Sequence, residues 1–224
     1  MKKDLQRKIR GQINDDYVAV YQKKSENELL ELLYSEEAWQ RSVAAELLLL
    51  TPETTDILLK KLQVEKALYT RLAITKKLES GDQETAKKMI AYLARIGNNQ
   101  HRQPIPPSKK QSFPLPRDLI ARSLGRMQPA IFSTLLAALE NLSVLQLSEI
   151  LDAIGYMAFY RPALATTETY QRLLKVRKTM IDQPLIQWKL VICFSAFPQS
   201  KELLLNEKEF APEARRSLRS LAKK

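Results

Sequence analysis

The sequence predicts an all-α protein made of successive helical hairpins, and two observations lead to this prediction. Glycine occurs only 5 times in 224 residues, and the chain is dominated by Leu, Ala, Lys, Glu and Arg, which favour helices. A hairpin-like sequence also recurs, because Arg71 can be placed over Arg41 with Tyr69 over Trp39, an offset of 30 residues. A repeat of this length predicts a helical solenoid, in which no hairpin buries its apolar face alone.

Residues 25–50 contain the clearest copy of the repeat. Ser25 and Glu28 have the spacing of a capping box that opens a helix, and residues 1–24 are predicted to form N-terminal capping helices. The predicted apolar faces of the two helices consist of Leu29, Leu30, Leu32 and Leu33, and of Trp39, Val43, Ala44, Leu47 and Leu48.

The second repeat begins after Thr51-Pro52, because proline fits the first turn of a helix and not its interior. Its predicted apolar residues are Ile57, Leu58, Leu59 and Leu62 in the first helix, and Leu68, Leu72, Ile74 and Leu78 in the second. The third repeat opens with a helix predicted over residues 85–96. Its partner helix is predicted only at residues 117–127, since Arg117 follows Arg71 by 46 residues.

A proline-rich insertion, residues 98–116, accounts for this delay. It contains Pro104, Pro106, Pro107, Pro114 and Pro116. Extended or polyproline II structure is expected here, with Ile105, Phe113 and Leu115 as possible anchors on the helices. Long loops of this kind are usually functional or disordered, and one hypothesis makes the insertion a lid or a docking arm.

The remainder of the chain predicts three further helix pairs in a single domain spanning residues 1–224. The predicted helices cover residues 130–142, 143–159, 167–181, 185–197, 201–205 and 211–222. The last pair, within residues 199–224, is predicted to act as a C-terminal cap.

The charge of the chain is unevenly distributed. The net charge is +11, and the excess lies in residues 1–10, 98–126 and 212–224, while residues 26–56 are acidic. Such a field could steer an acidic partner. Charged faces that keep a repeat protein soluble would give the same pattern.

Few residues in the chain suggest catalysis or metal binding. His101 is the only histidine and Cys193 the only cysteine, so an ordinary four-ligand zinc site is not expected. Cys193 lies on an apolar helix face and is predicted to be a core residue. No phosphate-binding glycine loop occurs. The sequence therefore favours a non-enzyme without cofactor or metal. Without a signal peptide or an apolar run of about 20 residues, it predicts a cytoplasmic protein with no membrane span.

The repeated segments resemble HEAT repeats, most closely the short bacterial HEAT-like kind. The resemblance is carried by ELLELLYSEEAWQRSVAAELLL, by ILLKKLQVEKALYTRLAITKKL, and in part by PLIQWKLVICFSAF, where Gln187 replaces the expected arginine. It implies a right-handed α-α superhelix of about five to six hairpins, with partners bound on the concave face formed by the second helices. Some HEAT-like proteins are glycosylases that remove alkylated bases from DNA, and others are bilin lyases or chaperone-like factors for bilin chromophores.

Two functions remain open from the sequence. The first is a non-catalytic scaffold that binds a protein or peptide, and the second is nucleic-acid binding along a basic concave stripe, as in the HEAT-like alkylpurine DNA glycosylases. The candidate binding surface comprises Trp39, Arg41, Lys60, Lys61, Arg71, Lys76, Lys77, Arg117, Arg122, Arg126 and Trp188. The two tryptophans could instead fill gaps between repeats. Arg41, Arg71 and Arg117 could instead pair with an acid or a carbonyl of a neighbouring repeat.

Overall fold

The protein is all-α. The computed structural model describes residues 2–109 and 112–222, and within these ranges it contains 14 α-helices and no strand. The predicted capping units and insertion extend beyond these ranges at Met1, Lys110, Gln111, Lys223 and Lys224, which lie outside the described residues. No helix in the described part of the chain is long and apolar enough to cross a membrane.

The chain divides into two compact units, Met1–Lys88 and Met89–Lys224. The helices that begin in the first unit are α1 (Lys2–Ile9), α2 (Asp15–Tyr21), α3 (Glu26–Leu32), α4 (Ala38–Leu47), α5 (Pro52–Val64), α6 (Leu68–Glu79) and α7 (Gln83–Ile90). Ser25 and Thr51 cap α3 and α5 with complete capping boxes, and Pro52 occupies the first turn of α5 as predicted. Helices α3 and α5 pack on α4 and α6 respectively, and α4 packs directly on α6.

Helix α6 buries two of its four predicted apolar residues. Ile74 and Leu78 are fully buried, whereas Leu68 and Leu72 are 42% and 47% exposed. The side turned towards α4 also carries Thr70. The Thr70 hydroxyl lies 2.9 Å from that of Ser42 and donates to the Ala38 carbonyl at 2.9 Å. This hydrogen-bonded contact allows two polar side chains to be buried between the helices.

The second unit contains α8 (Leu119–Arg126), α9 (Phe132–Ala138), α10 (Val144–Tyr160), α11 (Thr167–Thr179), α12 (Pro184–Cys193), α13 (Lys201–Leu205) and α14 (Ala211–Leu221). Helix α10 packs on both α8 and α12, and α12 packs on α14. Helices α9, α11 and α13 pack on α10, α12 and α14 respectively. Cys193 is fully buried, as predicted.

Helix α7 ends six residues earlier than predicted, at Ile90 instead of Ile96. Ala94 adopts a left-handed conformation with φ of 61°, which a helix cannot continue through. The side chain of Asp118 accepts a hydrogen bond from the Ala94 amide at 3.2 Å. The chain therefore turns at Ala94, before it enters the proline-rich segment, residues 98–116.

Candidate functional site

The predicted binding residues are divided between the two units. The first unit holds Trp39, Arg41, Lys60, Lys61, Arg71, Lys76 and Lys77, and the second holds Arg117, Arg122, Arg126 and Trp188. Several of the cations in the first unit lie beside carboxylates. Lys76 is 3.2 Å from Glu46, and Lys61 is 3.8 Å from Glu65. Lys60 is exposed, whereas Arg71 and Lys77 are half-buried.

Arg41 has the structural role that was one of its two predicted alternatives. Its Nε and Nη2 donate to both carboxylate oxygens of Glu65 at 2.7 and 2.8 Å, and its Nη1 donates to the carbonyls of Ser35 and Glu36. Burial opposes the ionisation of Glu65, but hydrogen bonds from Arg41 and the Ala67 amide hold its pKa below the usual range. The guanidinium thus joins the α3–α4 turn to the end of α5.

Replacing Arg41 by lysine should lower the free energy of unfolding by about 1–3 kcal/mol, because an ammonium cannot reproduce the two-pronged bond to Glu65 or reach both carbonyls. Urea unfolding followed by circular dichroism measures this loss. Arg71→Lys, at the aligned position 30 residues later, is the matched control and should change stability by less than about 0.5 kcal/mol. Equal losses in the two variants would contradict the structural role of Arg41.

Trp39 holds the N-terminal helices against α4. Its ring lies 5.1 Å from that of Tyr17 and 6.1 Å from that of Tyr21. The Lys8 ammonium lies 4.5 Å from the Trp39 ring centroid and 4.9 Å from that of Tyr17. This cation–π contact is internal to the unit, so Trp39 packs against the N-terminal helices, whereas the predicted alternative placed it in a gap between repeats.

In the second unit, Trp188 forms part of a cleft beneath the proline-rich segment. This aromatic cleft has a volume of about 370 Å³, and the residues that define it here are His101, Phe113, Arg117, Tyr156, Tyr160 and Trp188. Trp188 is only 3% exposed, and His101 packs edge-on against it with ring centroids 5.1 Å apart. Trp188 Nε1 and both ring nitrogens of His101 are buried without a hydrogen-bond partner among the described residues.

Phe113 anchors the proline-rich segment to the helices. It packs in a buried cluster with Leu185, Trp188 and Ile192. Its ring also rests on Gly155 of α10, where an added Cβ would lie 2.5 Å from the Phe113 Cζ atom. Of the three predicted anchors only Phe113 is buried, because Ile105 and Leu115 are exposed.

A buried ionic cluster lies next to the aromatic cleft. The Lys189 side chain is 1% exposed; its ammonium donates to Asp152 and lies 3.7 Å from Glu149. The same ammonium lies 5.5 Å from the Trp188 ring centroid. The sequence interpretation missed this cluster, although one signal was present: charged residues interrupt the apolar faces of α10 and α12.

Two groups around the cleft have pKa values shifted in opposite directions, and burial is the main cause of both shifts. Burial, together with the positive charges of Lys189 and Arg117, lowers the pKa of His101 to about 4. Burial, together with the negative charges of Asp152 and Asp118, raises the pKa of Glu149 to about 7, although Lys189 opposes this shift. His101 is therefore neutral at pH 7, whereas burial disfavours the charged form of Glu149.

These shifts predict opposite pH dependences for two variants. His101 favours the folded state above its ordinary pKa of 6.5, and this contribution is lost as the pH falls towards 4. Glu149 favours the folded state when protonated, so its contribution is present at acid pH and is lost as the pH rises through 7. His101→Gln should therefore gain stability relative to wild type as the pH falls from 7 to 5. Glu149→Gln should gain relative to wild type as it rises from 5 to 8.

Urea midpoints measured at several pH values between 5 and 8 test both statements. Lys175→Met, which changes the exposed pair with Glu140, is the control and should track wild type across this range. Curves for the His101 and Glu149 variants that run parallel to that of wild type would contradict the assignment of these two groups.

The three predicted arginines of the second unit lie in different surroundings. Arg117 is exposed and lines the aromatic cleft. The Nε of Arg122 donates to the Pro116 carbonyl at 3.0 Å and so fixes the end of the proline-rich segment. Arg126 is exposed at the end of α8, and its own carbonyl accepts a bond from Arg161. Only Arg117 of the three is part of the cleft lining.

A larger groove of about 770 Å³ lies between α9 and α11, but it has fewer features of a binding site. An exposed ion pair between Lys175 and Glu140, 2.7 Å long, spans it. Among the described residues, no group of three or more His, Cys, Asp or Glu side chains could hold a metal ion. No protein-family model, no curated protein and no solved structure matches this chain.

Proposed function

We propose that the chain is a non-catalytic HEAT-like scaffold that binds a protein or peptide partner, with the aromatic cleft as the binding site. The proposed architecture is a right-handed superhelix of about five to six hairpins. The packing of alternate helices within each unit supports this architecture. In the first unit α4 packs on α6, and in the second α8 packs on α10, α10 on α12, and α12 on α14. Such packing is expected when each hairpin covers the next.

Polar contacts between elements also support a repeat. Ser42 and Thr70, 28 residues apart, meet at 2.9 Å in the first unit. In the second unit Lys175 and Glu140 are 35 residues apart and meet at 2.7 Å. Separations of about one repeat are what neighbouring copies of a hairpin produce.

The observation that carries the functional proposal is the aromatic cleft itself. Concave sites lined by aromatic side chains with a few polar groups are the usual places where proteins bind ligands. The geometry favours binding over catalysis, because His101 is packed against Trp188, and Cys193, which does not line the cleft, is fully buried. Burial also raises the pKa of the Cys193 thiol well above its ordinary value, which suppresses the nucleophilic thiolate.

Affinity capture with the full chain tests this proposal. The chain is immobilised and exposed to a nuclease-treated lysate of the cells that make it, and retained proteins are compared with those on the Arg117→Glu/Tyr160→Ala variant. The expected result is a protein retained by wild type and by Lys178→Glu, an exposed site on α11, but lost with the cleft variant. Retention that is equal on the cleft variant would contradict the proposal.

Nucleic-acid binding is the alternative outcome. It would show as retention that nuclease treatment removes, and as direct binding to duplex oligonucleotides. Such binding should weaken steeply, by about 10³-fold or more, between 50 and 200 mM salt if several phosphates are contacted. Binding of this kind would replace the proposed function.

A further inference from the structure

Among the described residues, the lining of the aromatic cleft carries one exposed positive charge. Residues 98–117, which include the proline-rich segment, contain no acidic residue. Arg117 is exposed and lines the cleft. The one carboxylate in the cleft wall, that of Glu213, is paired with the Arg216 guanidinium. A ligand that complements this charge is therefore acidic.

The interior of the cleft is apolar and aromatic. Phe113, Tyr156 and Trp188 form one part of the wall, and Pro106 and Pro114 of the proline-rich segment form another. The Phe113 and Tyr156 rings meet nearly perpendicularly, at 83° with centroids 6.2 Å apart. Aromatic walls of this kind pack well against proline and aliphatic side chains of an extended peptide. The volume of about 370 Å³ suits a short stretch of such a peptide.

One buried donor in the cleft lacks an acceptor. Trp188 is 3% exposed and its Nε1 has no hydrogen-bond partner among the described residues. An indole N–H can only donate, and leaving a buried donor unpaired costs free energy that a ligand carbonyl would recover. His101 belongs to the proline-rich segment, and its ring packs edge-on against Trp188. No hydrogen bond joins the two rings, so His101 does not satisfy the Trp188 donor.

We propose that the aromatic cleft docks an extended, acidic segment of a protein partner, with an apolar or proline side chain in the cleft, a backbone carbonyl on Trp188 Nε1 and a carboxylate on Arg117. This inference depends on the proposed function, because it names the chemistry of the partner at the same site. A peptide is favoured over a nucleic acid because the cleft is short and because, in the first unit, Arg41, Lys61 and Lys76 already lie beside carboxylates.

A display library of random dodecapeptides, panned against the full chain, tests this chemistry. Enriched peptides are expected to carry two or more acidic residues next to proline or an aliphatic residue. Their affinities are then measured by fluorescence anisotropy with labelled synthetic copies. Arg117→Glu should weaken binding about 10-fold or more, because it removes one attraction and adds a repulsion. Trp188→Phe, which keeps an aromatic ring but removes the donor, should weaken binding about fivefold.

Lys178→Glu controls for the change in net charge and should bind as wild type does. Circular dichroism of each variant shows whether it is folded, and Tyr160→Ala at an exposed position of the cleft provides a second variant if Trp188→Phe does not fold. Enriched peptides that are basic or neutral, or that bind the Arg117 variant equally well, would overturn the inference. If the panned peptides are not acidic but a captured protein still requires the cleft, the proposed function remains supported, and only the proposal of an acidic partner is contradicted.

Discussion

Replacement of Lys189 by methionine is expected to lower the free energy of unfolding of the second unit by about 3–5 kcal/mol at pH 7. Methionine is unbranched and only one heavy atom shorter than lysine, so the loss reports on charge more than on a cavity. Without the ammonium, the buried carboxylates of Asp152 and Glu149 have no cationic partner in the cluster. Removing one partner of a buried ion pair leaves the other charge buried without compensation. This destabilises the folded state more than replacing both partners by apolar residues.

Urea unfolding in a Trp39→Phe background measures this loss, because Trp188 is then the only tryptophan and lies next to Lys189. The matched control is Lys175→Met, whose ion pair with Glu140 is 68% exposed on both sides and should contribute less than about 1 kcal/mol. Adding Asp152→Asn and Glu149→Gln to Lys189→Met should restore part of the stability. A loss below about 1 kcal/mol for Lys189→Met would contradict the buried ionic cluster.

Replacement of Phe113 by alanine is the second change with a large expected effect, a loss of about 3–5 kcal/mol. Phe113 is 3% exposed and packs with Leu185, Trp188 and Ile192. Its removal leaves a cavity and releases the proline-rich segment from Gly155. Trp188 should therefore become more accessible to acrylamide quenching, again in the Trp39→Phe background.

Leu115→Ala is the control for Phe113→Ala, because Leu115 lies in the same segment but is 48% exposed. It should change stability by less than about 0.5 kcal/mol and leave quenching as in wild type. If both variants behaved alike, Phe113 would not be the anchor of the segment. A variant that lacks residues 100–114 would not isolate the docking-arm hypothesis, since it would also lose the buried core residue Phe113.

The positions of most helices could be predicted from the sequence, because capping residues and apolar spacing are local signals. Helix α13 has the predicted bounds, Lys201–Leu205, and Ser25 and Thr51 cap the helices that they were predicted to open. The end of α7 could not be predicted in the same way. Tight turns follow Ile90 and lead to the left-handed Ala94, whose amide is held by Asp118, 24 residues later in the chain.

The candidate site was only partly predictable. Trp188 and the proline-rich segment were identified, but the way in which His101 covers Trp188 depends on contacts between residues 87 positions apart. Lys189 interrupts the apolar face of α12, but the sequence does not show that it is buried, since lysine is rarely fully buried without a partner. Its partner Asp152 lies on α10, 37 residues earlier in the chain, and no local sequence pattern connects the two residues. Periodicity therefore located the helices, whereas the cleft depends on how they pack.

Hydrogen exchange of the full chain, with and without a peptide selected by panning, tests the central claim most directly. If the aromatic cleft is the binding site, the peptide should slow amide exchange in residues 98–118 and in the facing parts of α10 and α12. Exchange in α9 and α11, which border the other groove, should stay unchanged. Slowed exchange in α9 and α11, with residues 98–118 unaffected, would show that the partner binds elsewhere and would contradict the account.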